Sequence, residues 1–148
     1  MKIAIREMAS ADAPAWAAMR KALWPLTTGE ENRKDIADII DAADMWGFIA
    51  LHDGGAPAGF AEVSLRRYAN GCEDSPVPFL EGIWVNPAVR GRGVGEQLIA
   101  HVAAVLRSKG FSELCSDALI ENEISHKAHR SWGFAETERV VYFRKPLT

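Results

Sequence analysis

The sequence has only two cysteines, Cys72 and Cys115. No CxxC pair or Cys/His run with metal-ligand spacing accompanies them, so neither a zinc site nor a disulfide framework is indicated. Two free thiols fit a reducing cytoplasm. No segment approaches roughly 18 uninterrupted apolar residues, so no membrane span is expected. The opening MKIAIREMASADAPAW lacks the apolar core of a signal peptide. Basic excess is also missing. Lys plus Arg is 17 against 20 for Asp plus Glu, a formal charge of −3, which argues against a dedicated nucleic-acid binder. There is no GxxxxGK[ST] and hence no P-loop. A GxGxxG dinucleotide fingerprint fails as well, because Glu96 stands where its last glycine belongs and no early β-α-β unit precedes it.

What remains is an ordinary globular composition: 148 residues, 48% hydrophobic and 25% charged, the size of one domain spanning 1–148. The charge is uneven. Residues 28–44 carry six acids (Glu30, Glu31, Asp35, Asp38, Asp41, Asp44) against Arg33 and Lys34. That run reads as a solvated helix face, or as an acidic wall beside a site that receives a cation. Hydrophobic periodicity predicts strands over 2–8, 47–52, 58–67, 79–85, 112–118 and 136–145. It predicts helices after Ser10 or Asp12, over 29–43 with Ile36, Ile39 and Ile40 on one face, over 93–109, and from Asn122 to Trp132. Hairpins mixed with β-α-β crossovers predict an α+β fold, a mixed central sheet flanked by helices.

The segment Arg90-Gly91-Arg92-Gly93-Val94-Gly95 lies between a predicted strand and a predicted helix. Glycines let the backbone approach a ligand without Cβ collisions. The following helix start presents unpaired N–H groups and a positive dipole end, together an anion nest suited to a pyrophosphate. The same arrangement also serves as a plain structural turn.

These residues resemble the acetyl-CoA motif of the GNAT superfamily of N-acetyltransferases, Arg/Gln-x-x-Gly-x-Gly/Ala. The preceding strand Leu80-Glu81-Gly82-Ile83-Trp84-Val85, Asn86-Pro87, and Asn122 ahead of Gly133-Phe134 are similar too. Within that superfamily the chain most resembles the aminoglycoside 6′-N-acetyltransferases. The resemblance rests on Trp24-Pro25, Tyr68-Ala69-Asn70-Gly71, Ser75-Pro76-Val77-Pro78-Phe79-Leu80-Glu81-Gly82-Ile83, Ser116-Asp117, Ile124-Ser125-His126 and the run from Glu136 to Phe143.

The resemblance implies direct acetyl transfer from acetyl-CoA, with no metal, to the 6′-amine of a polycationic aminoglycoside, conferring resistance. The backbone of Ile83, Trp84 and Val85 would hold the pantetheine arm, with a local bulge freeing an N–H to polarise the thioester. Residues Arg90, Gly91, Arg92, Gly93, Val94, Gly95 and Glu96 would cradle the pyrophosphate. Asn122 suits a cofactor contact or a helix N-cap. The amine must be neutral to attack, and an alkyl ammonium has a reference pKa near ~10.4. Glu81, an acid inside an apolar strand, is the candidate base, with Asp117 holding or deprotonating the same amine. His129 stands where many of these enzymes carry a tyrosine acid, and it is the candidate proton donor to the thiolate. Trp24, Tyr68 and Glu138 join Glu81 and Asp117 as expected substrate contacts. A homodimer is implied, with neither nucleic acid nor membrane as partner. Two other readings remain: the same fold acting on a protein or metabolite amine, and a non-catalytic acyl-CoA sensor. A sensor needs the glycine nest but not Glu81 and Asp117.

Overall fold

A computed structural model describes residues 1–148. Strands β1 (Ile3–Glu7), β2 (Met45–His52), β3 (Ala56–Arg66) and β4 (Val77–Val85) form one antiparallel sheet in that spatial order. Helices α1 (Ala13–Leu23) and α2 (Gly29–Asp41) lie between β1 and β2 in the chain. Helix α3 (Val94–Ser108) follows β4, and α4 (Glu123–Ser131) comes later.

Period-two alternation sends the two faces of β3 to different helices. Ala61, Val63 and Leu65 pack with Val94, Leu98, Val102 and Leu106 of α3. Phe60 packs on the other face with Trp16 and Met19 of α1, Ile36 of α2 and Ile49 of β2. Glu62 shares that second face and is buried there. Its carboxylate accepts from Trp16 Nε1 at 2.8 Å and from Arg20 Nη1 at 2.9 and 3.0 Å. Arg20 also donates to Asn32 at 3.0 Å and Asp35 at 2.8 Å. No fully buried side-chain polar atom is left without a partner, as a low-dielectric interior demands. Desolvation pushes the Glu62 carboxyl above its ordinary range, opposed by Arg20 and the Trp16 N–H.

Helix α2 begins with a capping box. Thr28 Oγ1 accepts the Glu31 N–H at 3.1 Å, and Glu31 returns a bond to the Thr28 N–H at 3.2 Å. The acids of 28–44 are thus partly structural: Glu31 caps, Asp35 pairs with Arg20, and Asp38 pairs with Lys34. Of the isoleucine face, Ile36 is buried while Ile40 is exposed. The remaining predicted helices form nearly where expected. Helix α3 ends ahead of Gly110, and Asn122 caps α4.

Three expectations are corrected. The predicted strand 112–118 shrinks to one parallel bridge, Phe79 with Cys115. Cys115 N–H donates to Pro78 O at 2.9 Å and Cys115 O accepts from Leu80 N–H at 2.7 Å. Just beyond, β4 carries an extra residue that bends its edge away, so pairing stops there. The predicted strand 136–145 does not form. A strand satisfies its backbone only through a neighbour, and no strand of this chain pairs with that segment. Its apolar residues Val140, Val141, Tyr142 and Phe143 stay exposed. Finally, the cysteines are not free: Cys72 and Cys115 form a disulfide, with Cα atoms 6.5 Å apart. The fold closes the loop after β3 onto the segment after α3, with Ala69, Val77 and Phe79 packed around the pair. Sequence spacing carries no sign of that contact. Glu113 lies beside the two sulfurs, but its carboxylate is held by the Glu73 and Asp74 amides and bonded cysteines offer no thiolate, so the donor set does not suit a metal.

The buried ion pair gives a testable stability difference. Glu62→Ala strands Arg20 in the interior and is expected to cost about 3–5 kcal/mol. Urea unfolding of the variant beside the parent protein measures it, and a loss well under 1 kcal/mol would contradict the account of the buried cluster.

Candidate active site

The register of β3 against β4 locates the site. Glu62 faces Gly82 and Val63 faces Leu80, so Glu81 is a bulge residue with no partner across the ladder. The expected bulge therefore exists, but at Glu81 rather than within 83–85. Glu81 and Gly82 both face the α1 side. A Cβ on Gly82 would come within 2.5 Å of the Trp24 ring, and Ser64 and Arg66 of β3 hold the Glu81 carboxylate. Gly82 is thus required by the close approach of Trp24. That indole is itself placed by Arg20, whose guanidinium lies 4.8 Å from the ring centroid, and by an edge contact with Phe60.

Arg66 donates to Glu81 through Nε at 2.9 Å and Nη2 at 2.7 Å, and Ser64 donates to the same carboxylate. The guanidinium also lies 3.5 Å from the Phe79 ring centroid. Its pKa is raised, first by the bond it donates to Glu81 and further by the charges of Glu81 and Asp117 and by Tyr142. One cation thus sits among Glu81, Asp117 and the returning tail. Asp117 is exposed and without a hydrogen-bond partner within the chain. Tyr68 lies two residues beyond β3 and is 70% exposed. Glu138 comes close to Gly71, where a Cβ would meet its Cγ at 3.6 Å, while the nearby Glu136 pairs with Arg139.

On the other side of the bulge, β4 is the last strand of the sheet. Ile83, Trp84 and Val85 pair with Ala61, Phe60 and Gly59 along one edge. Their outer edge is free to take an extended amide chain. The glycine loop follows. Arg90 Nε donates to Val85 O at 2.8 Å, so this arginine braces the loop against the strand end. Gly91 and Gly93 have φ of 77° and 81°, a left-handed backbone that favours glycine. No atom lies within 4 Å of a Cβ built on Gly91, which leaves the space over the loop open. The N–H groups of residues 91–96 make no hydrogen bond within the chain, and Gly93 caps α3 with no side-chain acceptor. That arrangement fits a pyrophosphate. Arg92 and Glu96 are exposed at its rim, while the Val94 side chain is core and only its amide faces the nest. Gly95 lets the Trp132 ring approach within 2.8 Å of its Cβ position.

Asn122 caps α4, its Oδ1 accepting the Ser125 N–H at 3.1 Å. Both nitrogens of His129 are engaged: Nδ1 lies 2.7 Å from Ser125 O and Nε2 lies 2.7 Å from Ser116 Oγ. The structure therefore gathers Trp24 and Glu81 around the bulge, with Asp117 near enough to act on Arg66, and sets His129 and the glycine nest on the α3/α4 side. Sequence reasoning did not single out Ser64, Arg66, Arg20 or Glu62 as functional. The available signal was the alternation of Glu62, Ser64 and Arg66 along one face of β3.

Residues 16–134 match the acetyltransferase (GNAT) family. An aminoglycoside N(6′)-acetyltransferase type 1 of Stenotrophomonas maltophilia is 49% identical over 97% of this chain and 93% of its own length. The solved structure of AAC(6′)-Iy with the bisubstrate analogue CoA-S-monomethyl-acetylneamine superimposes with a TM-score of 0.94 at 44% identity, covering 99% of this chain and 100% of that one. That of AAC(6′)-Ih from Acinetobacter baumannii does so with a TM-score of 0.92 at 34% identity, covering 99% and 100%. A chain with this bulged strand, this glycine nest and these matches belongs to the acetyltransferase (GNAT) family, among the aminoglycoside N(6′)-acetyltransferases.

Proposed function

We propose that this protein transfers the acetyl group of acetyl-CoA directly to the 6′-amine of aminoglycoside antibiotics, so conferring resistance. The observation that carries the reading is Glu81 at the bulge of β4. It sets a carboxylate for the amine beside a strand edge free for the acetyl donor. A non-catalytic sensor has no use for that carboxylate.

Residues Gly91 to Glu96, with Arg92 at the rim, bind the pyrophosphate through backbone N–H groups and the α3 dipole. Arg90 keeps the loop in place through Val85, and the amide of Asn122 makes a further cofactor contact. The outer edge of Ile83, Trp84 and Val85 aligns the pantetheine arm. On the acceptor side, Glu81 and Asp117 draw in the ammonium and take its first proton, leaving a neutral nucleophile. The Arg66–Glu81 pair is partly exposed, and such pairs contribute about 0.2–1 kcal/mol. That is weak enough for a polycation to displace Arg66. Trp24 and Tyr68 offer aromatic faces to sugar rings and ammonium groups, with Glu138 as a further anion. No helix is long and apolar enough to cross a membrane. Acetyl-CoA is an intracellular metabolite, which supports a cytoplasmic setting.

We also propose a homodimer. Val140 to Phe143 form an exposed continuous apolar run that pairs with no strand of this chain, and a second copy supplies the edge it lacks.

Three measurements test these readings. Purified protein with acetyl-CoA is expected to release CoA thiol with aminoglycosides carrying a 6′-amine and not with their 6′-hydroxyl counterparts. Turnover on peptides alone would remove the substrate assignment. Glu81→Gln and Asp117→Asn are each expected to lower kcat/KM for the aminoglycoside by about 100-fold while CoA binding persists. Unchanged turnover in both would refute the carboxylate roles. Light scattering is expected to give about twice the 16.2 kDa chain mass, falling to one chain when Val141 and Phe143 are replaced by Asp.

A further inference from the structure

Ser116 and His129 form a pair that the carboxylate chemistry above does not use. Ser125 O is a carbonyl and only accepts, so the hydrogen of that 2.7 Å contact sits on His129 Nδ1. With that hydrogen on Nδ1, Nε2 is the nitrogen that accepts from the Ser116 hydroxyl across 2.7 Å. The tautomer is set by the second nitrogen's bond, as in other working histidines. The rings of Trp132 and Phe134 lie 5.4 and 5.1 Å from the imidazole and hold it in place. In this tautomer Ser116 Oγ, its proton directed at the ring, keeps its lone pairs for another donor.

Position gives the pair its meaning. Ser116 directly follows Cys115, the last residue that pairs with β4. It directly precedes Asp117, which acts electrostatically on Arg66 beside Glu81. The hydroxyl thus stands where β4 and the 112–118 segment part, at the start of the free strand edge.

We propose that Ser116, backed by His129, carries the second proton of acetyl transfer from the attacking amine to the departing thiol. The inference rests on the acetyltransferase reading. Glu81 and Asp117 remove the first proton, from the ammonium. As the amine nitrogen bonds to the acetyl carbon it must lose another. Ser116 Oγ accepts that proton while passing its own to His129 Nε2. The carbon–sulfur bond then breaks and its electron pair stays on sulfur. Ser116 gives its proton to the sulfur and recovers one from Nε2. The amine has lost one proton, the thiol has gained one, and the pair ends as it began.

The test is the single-turnover rate of thiol release, with the whole protein in excess over acetyl-CoA and a saturating 6′-amino aminoglycoside. Ser116→Ala and His129→Phe are each expected to slow this step by about 100-fold. The double variant is expected to be no slower than either single one, because the two act as a unit. Ser116→Thr, which keeps the hydroxyl, is expected to restore most of the rate. The solvent deuterium isotope effect on this step is expected in the parent protein and absent from Ser116→Ala. Melting temperature and CoA affinity, measured on every variant, are expected to match the parent's. Losses that multiply in the double variant, an unslowed Ser116→Ala, or slowing explained by lost CoA affinity would overturn the relay. Failure of the parent protein to acetylate any aminoglycoside would instead strike the function on which it rests.

Discussion

A strand with one residue too many cannot keep regular pairing along both of its edges. In β4 that residue is Glu81. Before it, Pro78 to Leu80 bond to β3 on one side and to Cys115 on the other. After it, only the β3 side remains paired. The bulge therefore creates an opening between two segments that would otherwise close, and turns a carboxylate toward α1. The free edge, the gathering of acids and the place of Ser116 all follow from it.

Two arginine–carboxylate pairs stand near this opening and do different work. Arg20 and Glu62 are buried, fully bonded and locked to Trp16, Asn32 and Asp35. Breaking that set leaves a charge in low dielectric, so it acts as a rigid platform for Trp24. Arg66 and Glu81 are partly exposed, and water competes for both. The first pair holds geometry and the second can exchange partners, though the residue types are the same. Burial decides between them.

The part of the molecule legible in the sequence was local. The glycine loop with α3, the Asn122 cap of α4, the first four strands and the odd position of Glu81 each depend on neighbours in the chain, and each formed nearly where expected. What escaped was set by distant contacts. Cys72 meets Cys115 because the loop after β3 folds onto a segment beyond α3. The 112–118 run has strand composition but finds one bridge, because its partner bends away at the bulge. The 136–145 run has strand composition and pairs with no strand of this chain. Composition records what a segment can pair with, not whether the partner arrives.

The segment after α3 has a further consequence. Successive residues there face opposite sides: Leu114 joins the α3 core, Cys115 the small cluster with Phe79, and Ser116 reaches α4. Asp117 acts on Arg66 on the acceptor side. One short stretch thus serves two compartments by parity alone. A residue gained or lost between Gly110 and Cys115 would exchange the two, sending an acid toward the donor and a hydroxyl toward the acceptor. The length of that connection is therefore a constraint on chemistry, separate from the identity of any residue in it.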